Sequence, residues 1–252
     1  LIPNNLAWWV VNASDRTIIA HFLGTAANGV YSIANKFPNV FINFYNILNL
    51  SWTETVSLHF DDEDRDEFLT ETMTSLFKLF AAACFGIVAC MPFVFPILIN
   101  EKYVAGYDQI LILMYAMLFR VLVGLYSCIY VAQKNAKKIA YTSISAAIIN
   151  ITVNLILINK IKIFAASIST LVAFFSIIII RYIDVNKTVH MRIRKPIIIG
   201  SILIGTMLIG TYYCENKMIQ LIALCITAIY AVLTNVDMLK SGMKLVKSRF
   251  GK

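Results

Sequence analysis

Eight apolar stretches of roughly 17–25 residues leave this chain few alternatives, because that is the length a helix needs to cross a ~30 Å hydrocarbon core. They run at about 3–22, 30–53, 76–99, 110–131, 139–158, 164–183, 196–213 and 218–236. Charged residues make up only 14% of the sequence, against about a quarter in a soluble domain. The expected fold is therefore all-α, a polytopic transmembrane helix bundle of about eight spanning helices. Residues 1–185 form a six-helix lobe, and residues 186–252 add two further helices and a basic tail.

The formal charge of +8 is accounted for by topology. With the first residue in the cytoplasm, fifteen of the 22 lysines and arginines, Arg181 among them, fall on the cytoplasmic side. Lys102, Lys160, Lys162 and Lys217 fall on the other side, and Arg16, Lys36 and Arg120 inside the membrane. That bias puts both ends in the cytoplasm. No basic-aromatic patch of the kind nucleic-acid binders use is present, so no nucleic-acid partner is expected. The chain opens Leu1-Ile2-Pro3, with neither an initiator Met nor a basic n-region, which reads as a piece of a longer protein.

Two of the spans carry polar stripes. In the second, Ser32, Asn35, Lys36, Asn39, Asn43, Asn46, Asn49 and Thr53 recur every three or four residues, the period of one helix face. The first ends its own polar face, Asn5, Asn12, Asp15 and Arg16, with an adjacent acid and base. A charge at membrane depth costs at least ~2.5–3.5 kcal/mol, so it faces a cavity or a partner. The stripe reads as a water-lined path or as hydrogen-bonding glue between helices, and its length favours the path. Arg16 and Lys36, facing one aqueous space, would hold an anion; Arg16 paired to Asp15 is the other reading. Arg120 looks across Ala116, Gly124 and Ser127 on its own helix. A thinner stripe, Ser143, Ala147, Asn150 and Asn154, marks the fifth span, and Ser169, Thr170, Ala173 and Ser176 mark the sixth. Pro38 is placed to kink the second span and Pro92 and Pro96 to close the third.

Enzyme signatures are missing: there is no HExxH, GxSxG or Gly-rich phosphate loop. The five cysteines form no CxxC pair and read as small buried hydrophobes. The acidic run Asp61-Asp62-Glu63-Asp64-Arg65-Asp66-Glu67 has no second acidic cluster to face it across a metal, and lacks the glycine of an EF-hand loop. It reads as a solvated helix start. No metal and no cofactor are expected.

Pro3, Trp8-Trp9, Asp15-Arg16, Leu23-Gly24, Gly29-Val30-Tyr31-Ser32, Ala34, Lys36 and Trp52 resemble the start of the C-terminal lobe of the polysaccharide flippases. These are the Wzx-type O-antigen and capsule exporters of the multidrug/oligosaccharidyl-lipid/polysaccharide (MOP) superfamily. The resemblance implies a two-lobed transporter in the bacterial inner membrane. It would flip an undecaprenyl-pyrophosphate-linked oligosaccharide by alternating access, with proton or sodium coupling and with polysaccharide assembly proteins as partners. It also implies that Arg16 and Lys36, within the motif, engage the pyrophosphate and sugar. Asn35, Asn39 and Asn43 of the stripe and Arg120 join that substrate set from the residue pattern, and Asp15 takes a structural or coupling role. The last two helices would border a groove for the lipid tail, and the 252 residues alone are expected not to transport. Another exporter of the same superfamily, for lipid II or drugs, and a membrane polymerase or prenyltransferase stand as alternatives.

Overall fold

The computed structural model describes the backbone of residues 2–241 and the side chains of Val11 and of residues 13–241. Among these residues the chain folds into nine α-helices, residues 236–241 are also helical, and there is no strand. The helices are α1 (Ile2–Leu23), α2 (Thr25–Ala34), α3 (Lys36–Leu58), α4 (Arg65–Leu98), α5 (Tyr107–Ala132), α6 (Ala136–Ile161), α7 (Phe164–Val185), α8 (Lys195–Tyr212) and α9 (Lys217–Thr234). A 3₁₀ turn, Glu101–Gly106, joins α4 to α5. Six of the helices, α4 to α9, are long and apolar enough to cross a membrane, against the eight expected. The polar stripes of α1 and α3 lower their mean hydropathy below that of the others.

The packing order is a curved row, α1–α6–α7–α5–α3. Its two end helices, α1 and α3, are not packed as neighbours, and α2 bridges them. α4 lies behind α5 and α3, and α8 and α9 pack on α4. The outer faces of that pair expose Ile202, Leu203, Ile222, Ile229 and Leu233. So much contiguous apolar surface suits lipid rather than water. These two helices pack on α4 and on each other, apart from the polar stripes of α1 and α3.

Proline shapes two of the helices. Pro38 offers no N–H to the Ala34 carbonyl, and the second expected span is broken at Asn35 into α2 and α3. Hydrogen bonds on either side persist: Asn35 N–H donates to Tyr31 O, and Asn39 N–H to Asn35 O, both at 3.0 Å. Pro92 and Pro96 do not close α4 as expected; the helix runs through both to Leu98. Pro96 would leave the Pro92 carbonyl without its donor, and Lys217 Nζ on α9 fills that place at 3.0 Å.

The core of the row is aromatic where α3 meets α4. Phe41 and Tyr45 both pack edge-on to Phe80, at 5.9 and 5.3 Å between ring centroids. Tyr45 reaches across to α5, where Gly124 leaves room for it. A Cβ at position 124 would overlap Tyr45 Oη and stand 2.7 Å from Cζ. Overpacking of this kind costs about 1–3 kcal/mol. Gly124→Ala is thus expected to lower the thermal midpoint of the protein in detergent by several degrees; an unchanged midpoint would mean that Tyr45 has another place to go.

The connection between α7 and α8 is a strap along the first turns of α4. Backbone N–H groups of His190, Arg192 and Arg194 donate to Asp66 Oδ2 (2.9 Å), Thr70 Oγ1 (3.3 Å) and Thr74 Oγ1 (3.4 Å). Alternate residues of an extended chain advance about 6.6 Å and four residues of a helix about 6 Å, so the two repeats stay in step. Val189, just before the bonded residues, and Met191, between the first two, are fully buried. Asp61 to Asp64 are exposed, and α4 starts at Arg65 with Asp66 and Glu67 in its first turn. Solvated acids at a helix start were expected; the engagement of Asp66 by the strap was not.

Candidate functional site

The most unusual group in the bundle is the carboxylate of Asp15, 3% exposed and carried by α1 where it faces α6 and α7. Thr170 Oγ1 donates to its Oδ2 at 2.8 Å, Tyr31 Oη to the same oxygen at 3.1 Å, and Asn154 Nδ2 to Oδ1 at 2.9 Å. Around these lies a layer of further hydrogen bonds. Asn150 Nδ2 donates to Ser169 Oγ (3.2 Å) and Thr170 Oγ1 (3.1 Å), while its Oδ1 accepts from Ser14 Oγ at 3.3 Å. No lysine or arginine among the described residues pairs with Asp15.

The local reasons are legible. Asn150 and Asn154 are one helical turn apart on α6, so both amides point to the same helix face. Ser169 and Thr170 are adjacent small polar residues on the face of α7 that meets α6. Asp15 is directed inward by its neighbours Ile18 and Ile19, both buried. A buried carboxylate is expensive unless its charge is compensated. Three neutral donors supply part of that compensation. Asn154 Oδ1, buried in the same cluster, has no hydrogen-bond partner among the described residues. A carboxylate with no cationic partner beside an orphaned carbonyl oxygen, with hydroxyls and amides around them, is a donor set that fits a small hard cation such as sodium, or a proton on the carboxylate.

The anion-binding residues expected from the sequence lie elsewhere. Arg16 follows Asp15 in the chain but points out of the bundle and is exposed. The Asp15–Arg16 ion pair is not formed. Lys36, Asn39 and Asn43 are exposed on α3, on a face that adjoins the apolar side chains Val40, Phe44, Ile47 and Leu50. Since α1 and α3 end the helix row, these side chains border its open side. Among the described residues no hydrogen bond or ion pair joins Arg16 to Lys36.

The eight-residue stripe divides. Asn35 turns back, its Nδ2 donating to Tyr31 O at 2.9 Å, and so supports the Asp15 cluster rather than the open face. Asn49 accepts from Tyr45 Oη at 2.6 Å and from Cys128 Sγ at 3.6 Å. Thr53 Oγ1 donates to Asn49 O at 2.7 Å. Asn49 and Thr53 join α3 to Cys128 of α5, Thr53 Oγ1 lying 3.2 Å from its Sγ, while Asn35 bonds only the turn before it; Lys36, Asn39, Asn43 and Asn46 are exposed and Ser32 is half-buried. Arg120 is partly buried, its guanidinium 6.0 Å from the centre of the Phe174 ring on α7. Asn5 and Asn12 lie outside the residues whose side chains are described.

Arg181, counted from the sequence among the cytoplasmic-side charges, is not a solvated one. It is fully buried on α7. Its Nε and Nη2 donate to Thr142 Oγ1 at 3.1 and 2.6 Å, and Nη1 donates to Val123 O at 2.8 Å and to Ser127 Oγ. Nη2 also reaches Ser143 Oγ at 3.4 Å, and the guanidinium sits 5.9 Å from the Tyr130 ring centre. Among the described residues no carboxylate pairs with it: Asp184, one turn away, is taken by Lys138 (2.6 Å) and Tyr130 Oη (2.9 Å). One planar fork thus ties α7 to both α5 and α6. A lysine could not reproduce it. With hydrogen bonds to a charged group contributing about 1.5–3 kcal/mol each, Arg181→Lys is expected to destabilise the bundle by at least about 3 kcal/mol. Equal urea unfolding midpoints for the two proteins would contradict the tether. The signal missed in the sequence was the run of hydroxyls, Ser127, Thr142 and Ser143, on the facing helices.

Among the described residues no group of histidines, cysteines and acids could hold a metal ion together, and the five cysteines are free thiols. Six membrane-length apolar helices make this a multi-pass helical membrane protein. No family model, curated protein or solved structure matches the chain.

Proposed function

We propose that this chain forms one lobe of an exporter that flips an undecaprenyl-pyrophosphate-linked oligosaccharide across the bacterial inner membrane for surface polysaccharide synthesis. Alternating access moves the substrate, and a proton or sodium gradient drives it. The observation that carries the reading is Asp15: a buried carboxylate without a cationic partner among the described residues, on a helix whose next residue, Arg16, is exposed. Ionisable groups inside membrane bundles mark ion and substrate pathways.

In this reading the two adjacent residues divide the work. Asp15, with Asn154, Thr170 and Tyr31, holds the coupling ion. Arg16 and Lys36 attract the pyrophosphate, whose charge no neutral lining would draw into the membrane. Asn39 and Asn43 offer amides to sugar hydroxyls, and the apolar half of the same α3 face lies against the polyprenyl chain. Arg120 lies deeper, between α5 and α7, and adds positive potential. Both chain ends are cytoplasmic.

The test is made in cells deleted for the complete gene. Polyprenyl-pyrophosphate glycan is expected to accumulate in the inner leaflet while surface polysaccharide disappears. If no finished lipid-linked unit is made, the protein acts in synthesis and the proposal fails.

A further inference from the structure

A cavity of about 460 Å³ opens at the end of the bundle opposite the lysine-rich loops, between the end of α4, the 3₁₀ turn, the start of α5 and the α8–α9 connection. Its volume is in the range of sites for small molecules. It lies apart from the Asp15 cluster and from the open side of the helix row.

Glu101, Asp108 and Glu215 line the cavity, and none of the three forms an ion pair with a described residue. The tyrosine hydroxyls, which could have served a ligand as donors, are consumed by the protein. Tyr107 and Tyr212 stack at 4.4 Å and donate to each other's carbonyls, at 3.1 and 2.9 Å. Tyr213 Oη donates to Asp108 O at 3.1 Å. Lys217, the one basic residue in the lining, gives its Nζ to Pro92 O and sits 5.6 Å from the Phe93 ring centre.

An independent observation comes from Gln220, which also lines the cavity and is only 7% exposed. Its Nε2 donates to Cys214 O at 2.7 Å. That bond fixes the amide's orientation, and Oε1 is left with no partner among the described residues. A buried carbonyl oxygen of this kind calls for a donor.

We propose that this cavity binds a primary ammonium group. Such a group carries the charge that the three carboxylates lack, and an N–H for Gln220 Oε1. It also sits well over a phenol face, and the Tyr213 ring is half exposed. A quaternary ammonium has the charge but no N–H. A soluble polyamine presents this chemistry, and so does the ethanolamine headgroup of a phospholipid. The lipid-facing Ile97 and Leu98, exposed at the end of α4 beside the cavity, leave both routes open.

The full chain in nanodiscs of phosphatidylcholine and phosphatidylglycerol, which contain no primary amine, is titrated with spermidine and its thermal midpoint followed. In parallel, phosphatidylethanolamine replaces phosphatidylcholine with no spermidine added. A rise of several degrees in the first arm assigns a soluble amine, and in the second a lipid headgroup. Either rise is expected to need at least tenfold more amine in Asp108→Asn/Glu215→Gln. Gln220→Leu, which leaves the charges in place, is expected to weaken it as well, and serves alone if the double variant does not fold. No rise in either arm overturns the proposal. So does an equal rise with Mg²⁺ at matched ionic strength, or a response unchanged in the variants.

Discussion

Asp15→Asn is expected to abolish coupled transport while leaving a folded protein. The substitution keeps the size of the side chain, removes the charge and turns one acceptor oxygen into a donor, which Asn154 can accept by turning over its amide, since its Oδ1 is unpartnered. Truncating one partner of a buried charge pair costs about 2–5 kcal/mol, so affinity for a cation held there should fall at least ~30-fold. Stability should move the other way or stay level, because a buried, uncompensated charge opposes folding. The two readouts together make the prediction sharp. A variant that loses export and melts at or above the wild-type temperature has lost an ion site. One that loses export because it no longer folds says only that Thr170, Tyr31 and Asn154 needed the carboxylate as a structural acceptor. Full export by a well-folded Asp15→Asn protein would remove Asp15 from the mechanism.

The second large effect belongs to the open side of the helix row. Arg16 and Lys36 are both exposed, and neither is engaged by a described neighbour. Their removal should leave the fold intact, as surface substitutions away from special features change stability by within about 0.5 kcal/mol. Export is another matter. If these two charges draw a pyrophosphate into the membrane, Arg16→Gln/Lys36→Gln is expected to reduce surface polysaccharide by at least about tenfold, with protein level and thermal midpoint unchanged. Charge-assisted hydrogen bonds to phosphate are roughly twice as strong as neutral ones, which is why two neutral amides cannot replace them. Asn39→Ala and Asn43→Ala should each cost less. Wild-type export from the double variant would show that the open face of α1 and α3 does not meet the anion.

The contrast between these two sites shows what a sequence can and cannot disclose. Helix positions followed from apolar length: α5, α6, α7, α8 and α9 start and end within a few residues of the expected bounds. The face of each helix followed from its period, so Asn150 and Asn154 were legible as one stripe. The partner of a face was not legible, because periodicity says which residues look the same way and not what they look at. Asp15 and Arg16 are neighbours in the chain, and nothing local decides which of them turns inward. Their orientation is set by α6 and α7, more than a hundred residues away, whose Asn154 and Thr170 donate to the acid. Arg181 escaped for a related reason. It lies one turn from the end of α7, where a basic residue usually reaches for the membrane surface. Only the hydroxyls of α5 and α6, brought together by packing, show that it points inward.

The polar ladder of α3 had been read as a single surface, and it is two. Asn35, Asn49 and Thr53 bind their own bundle, and the residues between them remain available. A helix face at the edge of a packed row changes its surroundings along its length, and a regular spacing of asparagines does not reveal where that change falls. The strap over α4 was equally hidden. Thr70 and Thr74 look unremarkable in a list of helix residues until an extended segment from the other end of the lobe lies beside them.

The most direct test of the account uses the complete transporter reconstituted into proteoliposomes with a polyprenyl-pyrophosphate oligosaccharide whose sugar is accessible to an enzyme from one side only. Appearance of the sugar on the opposite side is followed with and without an imposed sodium or proton gradient. The account predicts movement that one of these gradients accelerates, and that acceleration is lost in Asp15→Asn. Wild-type protein that leaves the glycan on its original side under either gradient would contradict it.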